Sequence, residues 1–159
     1  MARAKTVETE PSSLTESYAD WMVRCTTPVA IEGGAPAERM CEMIQELRQP
    51  EGGKRVLAIS LRPAEGGKSG RATIVAPFGL LLSDGIRLEI NETTLFSAGF
   101  QTCLPNGCLA GGDLASDAIA TLANGEQAKA VMTALNGAPL NVNVPLAGFE
   151  AAWNRLLEL

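Results

Sequence analysis

The chain has 159 residues, enough for one compact core and too few for two well-filled ones. Hydrophobic residues at 46% and charged residues at 19% exclude a disordered chain or a coiled coil over most of the length. Thirteen basic against eighteen acidic residues leave a net charge of −5, which argues against a nucleic-acid partner; the absence of histidine removes every His-based triad, haem site and zinc site.

The polar run Thr6 to Ser13 makes residues 1–20 an expected disordered lead-in, ahead of a single domain over 21–159. Met1 to Tyr18 shows no apolar h-region of a secretory leader, and no stretch reaches the ~18–20 apolar residues of a membrane span. Trp21 to Cys25 has the character of a strand, and Pro28 with Gly33-Gly34-Ala35-Pro36 marks a loop. Arg39 to Leu47 is compatible with helix or strand. Arg55 to Arg62 is extended and bracketed by Glu51-Gly-Gly-Lys54 and Glu65-Gly-Gly-Lys68, two similar hairpin turns.

Arg71 to Ala76 is a further strand, and Asp84-Gly85 predicts a hairpin pairing Leu80–Leu82 with Ile86–Ile90. Leu95-Phe96 and Phe100 to Cys103 continue the strand series, and Leu104-Pro-Asn-Gly107 turns the chain. Asp113 to Ala123 fits a short helix with Asp113 or Ser116 as N-cap and Asn124-Gly125 as its stop. Ala128–Leu135 and Leu140–Val144 flank Asn136-Gly137 as a second hairpin. Phe149, Ala152, Trp153, Leu156 and Leu157 recur at helical spacing, an amphipathic C-terminal helix. Many short strands with frequent turns and one or two short helices define a mainly β chain, an antiparallel β-sandwich with helical additions. Trp21, Phe149 and Trp153 are its expected core anchors.

Four cysteines, Cys25, Cys41, Cys103 and Cys108, allow three pairings. Local closure favours Cys25–Cys41 and Cys103–Cys108, because each pair flanks a short segment rich in turn residues. A metal site built from all four cysteines is disfavoured: structural zinc sites present close C-x2-C pairs, whereas the gaps here are fifteen and four residues. A redox dithiol is disfavoured as well, since C-x4-C is not C-x-x-C and no His or Lys adjoins it. Structural disulfides, formed in an oxidising compartment, are the expectation.

Other motifs fail as chemistry. Gly66-Gly-Lys-Ser69 ends like a phosphate loop, but Arg62 occupies the position of the first glycine. Gly67-Lys-Ser69-Gly70 is one residue short of a nucleophile elbow. The acidic pairs Glu8/Glu10, Glu89/Glu92 and Asp113/Asp117 read as solvated carboxylates, since general acid–base work needs one of them buried. Asn91-Glu-Thr93 is a formal glycosylation sequon. No metal, cofactor or catalytic residue is expected.

Several short motifs occur in a fixed order: Trp21-x-Val23-x-Cys25, Cys41-x-Met43-x-Gln45, Pro77-x-Gly79-x-x-Leu82-x-x-Gly85, Phe100-x-x-Cys103, Gly107-Cys108 and Leu146-x-Gly148-Phe149. Together they resemble the invasion-associated locus B family of bacterial envelope proteins, over about Trp21 to Leu157. The resemblance implies an immunoglobulin-like β-sandwich, export to the periplasm or surface of a Gram-negative bacterium, and a link with host-cell invasion. It carries over no catalytic residues. The expected function is therefore that of a non-enzymatic exported binding protein, its partner another protein or a cell-envelope component. The alternatives are a periplasmic small-molecule or lipid carrier, and a thiol enzyme using Cys103 and Cys108. Oligomeric state is not legible in these residues.

Overall fold

The computed structural model describes residues 13–27 and 39–159. The loop expected at Pro28 and Gly33–Pro36, and the first twelve residues of the expected lead-in, lie outside the described residues. Eleven strands and two helices follow in order: β1 (Ser13–Tyr18), β2 (Trp21–Thr26), β3 (Met40–Arg48), β4 (Arg55–Pro63), β5 (Gly70–Ala76), β6 (Ile86–Ile90), β7 (Thr93–Ala98), β8 (Phe100–Leu104), β9 (Gly107–Leu114), α1 (Ser116–Asn124), β10 (Gln127–Thr133), β11 (Pro139–Pro145) and α2 (Phe149–Glu158). They form two antiparallel sheets, one of seven strands in the order β1-β2-β3-β4-β5-β9-β8 and one of four in the order β11-β10-β6-β7. The chain is mainly β, with the sheets packed as a sandwich.

Period-2 patterning places one face of the large sheet inward. In β2, Trp21, Val23 and Cys25 are buried while Met22, Arg24 and Thr26 are exposed. Leu57, Ile59 and Leu61 of β4 and Ala72, Ile74 and Ala76 of β5 extend that inner face. The four-stranded sheet contributes Ile86, Leu88, Phe96, Ala130, Met132 and Val144 to the same core. The other half of the large sheet is closed by α2, which lies against β1, β2, β3 and β4. Phe149 of α2 meets Trp21 edge to face, with ring centroids 5.3 Å apart at 89°. Trp153 packs over Gly70, where a Cβ would collide with its ring. All three expected anchors are buried. Leu157, counted on the apolar stripe of α2, is instead exposed beside Gly67 at the helix end.

Several local expectations are corrected by the tertiary pairing. Residues 13–18 are not part of a disordered lead-in; they form β1, paired with β2 from Ser13↔Thr26 to Tyr18↔Trp21. Leu80–Leu82 and Ile86–Ile90 do not form a hairpin. Leu80 bridges Ala134, Leu82–Asp84 is a single 3-10 turn, and β6 pairs with β7 and β10. A two-residue type I′ hairpin turn needs positive φ at both central residues, and here Gly85 has it (64°) but Asp84 does not. The first helix begins at Ser116 with Ala115 as N-cap, because Asp113 is drawn into β9 opposite Arg71. Within the undecided segment 39–47, residues 40–47 belong to strand β3, which has a partner on each side.

The two Glu-Gly-Gly-Lys segments are turns of the same build. Gln49 N–H donates to Lys54 C=O and Ala64 N–H to Ser69 C=O, each at 2.9 Å. Each turn carries two consecutive glycines in the left-handed region, Gly52-Gly53 and Gly66-Gly67.

Gly148 joins α2 to the sheet. It caps the helix with φ 88°, and a Cβ there would run into the carbonyl oxygen of Tyr18. Asp20 N–H donates to Ala147 C=O at 3.1 Å and Trp21 Nε1 to Pro145 C=O at 3.2 Å, so the β1–β2 turn and the entry to α2 are locked together. Gly148→Ala is expected to destabilise the fold by about 3 kcal/mol or more in urea titration, through both the left-handed φ and the collision. Gly53→Ala, at φ 64° with open space around it, carries only the conformational cost of about 1–2 kcal/mol. Equal losses in the two variants would show that the close approach at Tyr18 contributes nothing.

Candidate functional site

The four cysteines form two disulfides, Cys25–Cys41 and Cys103–Cys108, the pairing that local closure favours. Both join directly opposite residues of neighbouring antiparallel strands, Cys25↔Cys41 across β2/β3 and Cys103↔Cys108 across β8/β9. The first closes sixteen residues of chain and the second five. In the chain-entropy picture these loops contribute about 3 and about 2 kcal/mol, a large share of a domain stability of ~5–15 kcal/mol. Their surroundings differ. Cys25 is buried at 1% exposure and Cys41 is half-buried, bordering a hollow with Leu156 and Leu157. Cys108 is buried at 2%, while Cys103 stands exposed on the edge strand.

The remaining sequence candidates are not brought together. Gly66–Ser69 belongs to the β4–β5 turn. Glu89 and Glu92 border a shallow depression of about 210 Å3 with Asn91 and Lys129, at the β6–β7 turn. Glu89 is paired with Arg87 at 2.6 Å. Asp113 and Asp117, expected one helical turn apart, lie on β9 and α1 respectively. Glu8 and Glu10 lie outside the described residues. Among the described residues, no three His, Cys, Asp or Glu side chains converge as a metal-ligand set.

Two charged clusters escaped the sequence reading, because their members are far apart in the chain. Glu16 on β1 receives hydrogen bonds from Arg155 Nε (2.9 Å to Oε2) and Nη2 (3.0 Å to Oε1) and from the Tyr18 hydroxyl (2.5 Å). The Arg155 guanidinium, with Tyr18 second, holds the Glu16 carboxyl below the usual carboxylate range. The same hydrogen bond raises the Tyr18 phenol, since its proton is in use. This bidentate pair ties α2 to the edge strand β1. Glu42 on β3 is partly desolvated, which by itself would raise its pKa; hydrogen bonds from Ser60 (2.5 Å) and Arg24 (2.6 Å) outweigh this and lower it. Both carboxylates are pinned in the ionised form by cations.

Four of the exposed large apolar side chains gather at one end; Met22, Met40, Leu157 and Leu159 lie elsewhere. Phe78 (61% exposed), Leu82 and Leu135 (70%) sit on connections and Leu104 closes strand β8, all at one end of the sandwich. Leu135 N–H donates to Gly79 C=O at 2.9 Å and Leu81 N–H to Thr133 C=O at 2.8 Å, fixing the β5–β6 connection against the β10–β11 turn. The segments that carry Phe78 and Leu135 are thereby brought together. Cys108 pairs with Ala76, which brings the Leu104 hairpin to the same rim.

This is a disulfide-stapled two-sheet β-domain with an exposed apolar end and no assembled catalytic constellation among the described residues. Residues 21–157 match the family model described as invasion associated locus B (IalB) protein, and the chain belongs to that family. It is 36% identical over 149 residues to an Invasion protein B homolog from Brucella abortus, covering 93% of this chain and 82% of that protein. Invasion protein B of Bartonella bacilliformis is 35% identical over 153 residues, covering 93% and 77%. The crystal structure of invasion associated protein b from Bartonella henselae superposes with a TM-score of 0.78 at 30% identity, over 91% of this chain and 95% of that one.

The Glu16 cluster gives the fold a defined acid sensitivity. A carboxylate whose folded pKa is depressed contributes stability that is complete above its unfolded pKa and is lost as pH falls through the folded value. The wild type is therefore expected to exceed Glu16→Gln in urea midpoint at pH 7. That gap narrows as pH falls below the ordinary carboxylate range and closes at the acid end. A gap independent of pH would show that Glu16 acts through packing rather than charge.

Proposed function

We propose that the protein is a non-enzymatic exported envelope protein of the periplasm or cell surface, and that it binds a protein partner through the Phe78–Leu135 end. The exposure of Phe78 and Leu135, on neighbouring connections joined by backbone hydrogen bonds, carries this reading. Large exposed apolar side chains on hydrogen-bonded connections match the make-up of protein–protein anchor sites. Two disulfides favour an oxidising compartment. No helix among the described residues is long and apolar enough to cross a membrane. The names of the Brucella and Bartonella relatives point to host-cell invasion as the setting.

The non-enzymatic reading is supported by the state of the carboxylates. General acid chemistry needs a raised pKa, and Glu16 and Glu42 are both held low. The carrier alternative needs an apolar chamber between sheet and helices. That space is occupied by Trp21, Phe149, Trp153, Ile119 and Leu122, and it gives the alternative no support.

A photo-crosslinking residue at position 78 is expected to capture a discrete partner from intact envelopes. The same residue at Asp117, exposed on α1, is not. Leu135→Ser should reduce the position-78 adduct by ~10-fold or more, in line with loss of an interface anchor. Equal labelling from both positions, or an adduct insensitive to Leu135→Ser, would remove the apolar end from the binding role.

A further inference from the structure

We propose that Cys103–Cys108 is a thiol-exchange site, which takes up a thiol as a mixed disulfide on Cys103 and frees the edge strand β8. Thiol–disulfide exchange is an in-line displacement, so the incoming thiolate must approach one sulfur from the side opposite the other. Cys103 is exposed and Cys108 is buried at 2%. The open approach is therefore onto Cys103 Sγ, with Cys108 behind it as leaving group. An external thiolate forms the new S–S bond to Cys103, the Cys103–Cys108 bond breaks, and its electron pair departs on the Cys108 sulfur. The co-reactant is a thiol, and no other oxidant or reductant is needed. Arg55 donates to Asn106 C=O at 2.7 Å and so places a guanidinium on this hairpin, a setting that favours a released thiolate.

The fold can tolerate this opening. Strand β8 contributes no fully buried residue and is half-buried only at Phe100. It pairs on one side only, with β9, and its register is broken between Phe100 and Thr102. Once released, it uncovers the edge of β9 over Gly107–Ala110, a stretch without a charged residue. Such an edge can accept an added strand. The Cys25–Cys41 bond also has one buried residue, Cys25 at 1% exposure, but its outer residue Cys41 is half-buried rather than exposed, and the bond joins two interior strands instead of reaching the sheet edge. This inference does not rest on the partner proposed for the Phe78–Leu135 end.

The oxidised full-length chain, incubated with graded reduced glutathione, alkylated and peptide-mapped, tests the proposal. The expected result is a glutathione adduct on Cys103 with free Cys108, forming at least ~10-fold faster than any opening of Cys25–Cys41. Far-UV circular dichroism should stay essentially unchanged, and amide exchange should accelerate over residues 100–104 and 107–110 alone. An adduct on Cys108, opening of Cys25–Cys41 first or at the same rate, or no exchange until the chain unfolds would each overturn it. As a second measurement, Cys103→Ser/Cys108→Ser should take up no glutathione under the same conditions while keeping Cys25–Cys41 intact. An adduct still formed by that variant places the exchange elsewhere.

Discussion

A seven-stranded sheet has a wider apolar face than a four-stranded sheet can cover, and the rest of the structure is organised by how that surplus is closed. Three extra strands at a spacing of ~4.8 Å leave about 14 Å of inner face, close to the ~10–12 Å breadth of one helix. Helix α2 fills this strip along β1, β2 and β3. Its seating depends on the Trp21–Phe149 contact and on Gly148, where the chain passes so close to the Tyr18 carbonyl that no side chain fits. The Arg155–Glu16 pair then ties the outermost strand to the helix. Edge strand, helix and turn form one unit, assembled from residues more than a hundred positions apart.

The two disulfides share a geometry and differ in mechanical setting. Cys25–Cys41 joins two interior strands of the large sheet, beneath the end of α2, at the border of the segment that lies outside the described residues. Cys103–Cys108 closes a short hairpin at the far edge, on a strand that adds little to the core. The first therefore belongs to the body of the domain. The second fastens a peripheral strand that shares a rim with the exposed apolar connections.

Membership of the invasion-associated locus B family gives this architecture a setting, and the residues behind the ordered motifs have structural reasons to be where they are. Trp21, Val23 and Cys25 face the core from β2, Met43 does so from β3, and Phe149 from α2. Gly107 and Gly148 sit where backbone from another strand or turn leaves no room for a Cβ. The motifs thus mark the scaffold, whereas the exposed pair Phe78 and Leu135 lies on its connections, where binding residues concentrate.

The sequence by itself determined the strand periodicity, the mainly β class, the twin Gly-Gly turns and the aromatic anchors. It also favoured the cysteine pairing. Each of these is a local property, set by alternation, propensity or short loop closure, and survives whatever the neighbours do. Tertiary structure alone decided that 40–47 is strand, because a segment without a clear period takes the state of the strands on either side of it. It decided that Leu80 pairs with Ala134 rather than across Asp84-Gly85, that residues 13–18 become an edge strand, and that Asp113 faces Arg71 instead of capping a helix. The Glu16–Arg155 pair spans 139 positions, and the apolar end is assembled from the connections that follow β5 and β10 and from the end of β8. Proximity of that kind is created by sheet order and register, which local patterning does not encode.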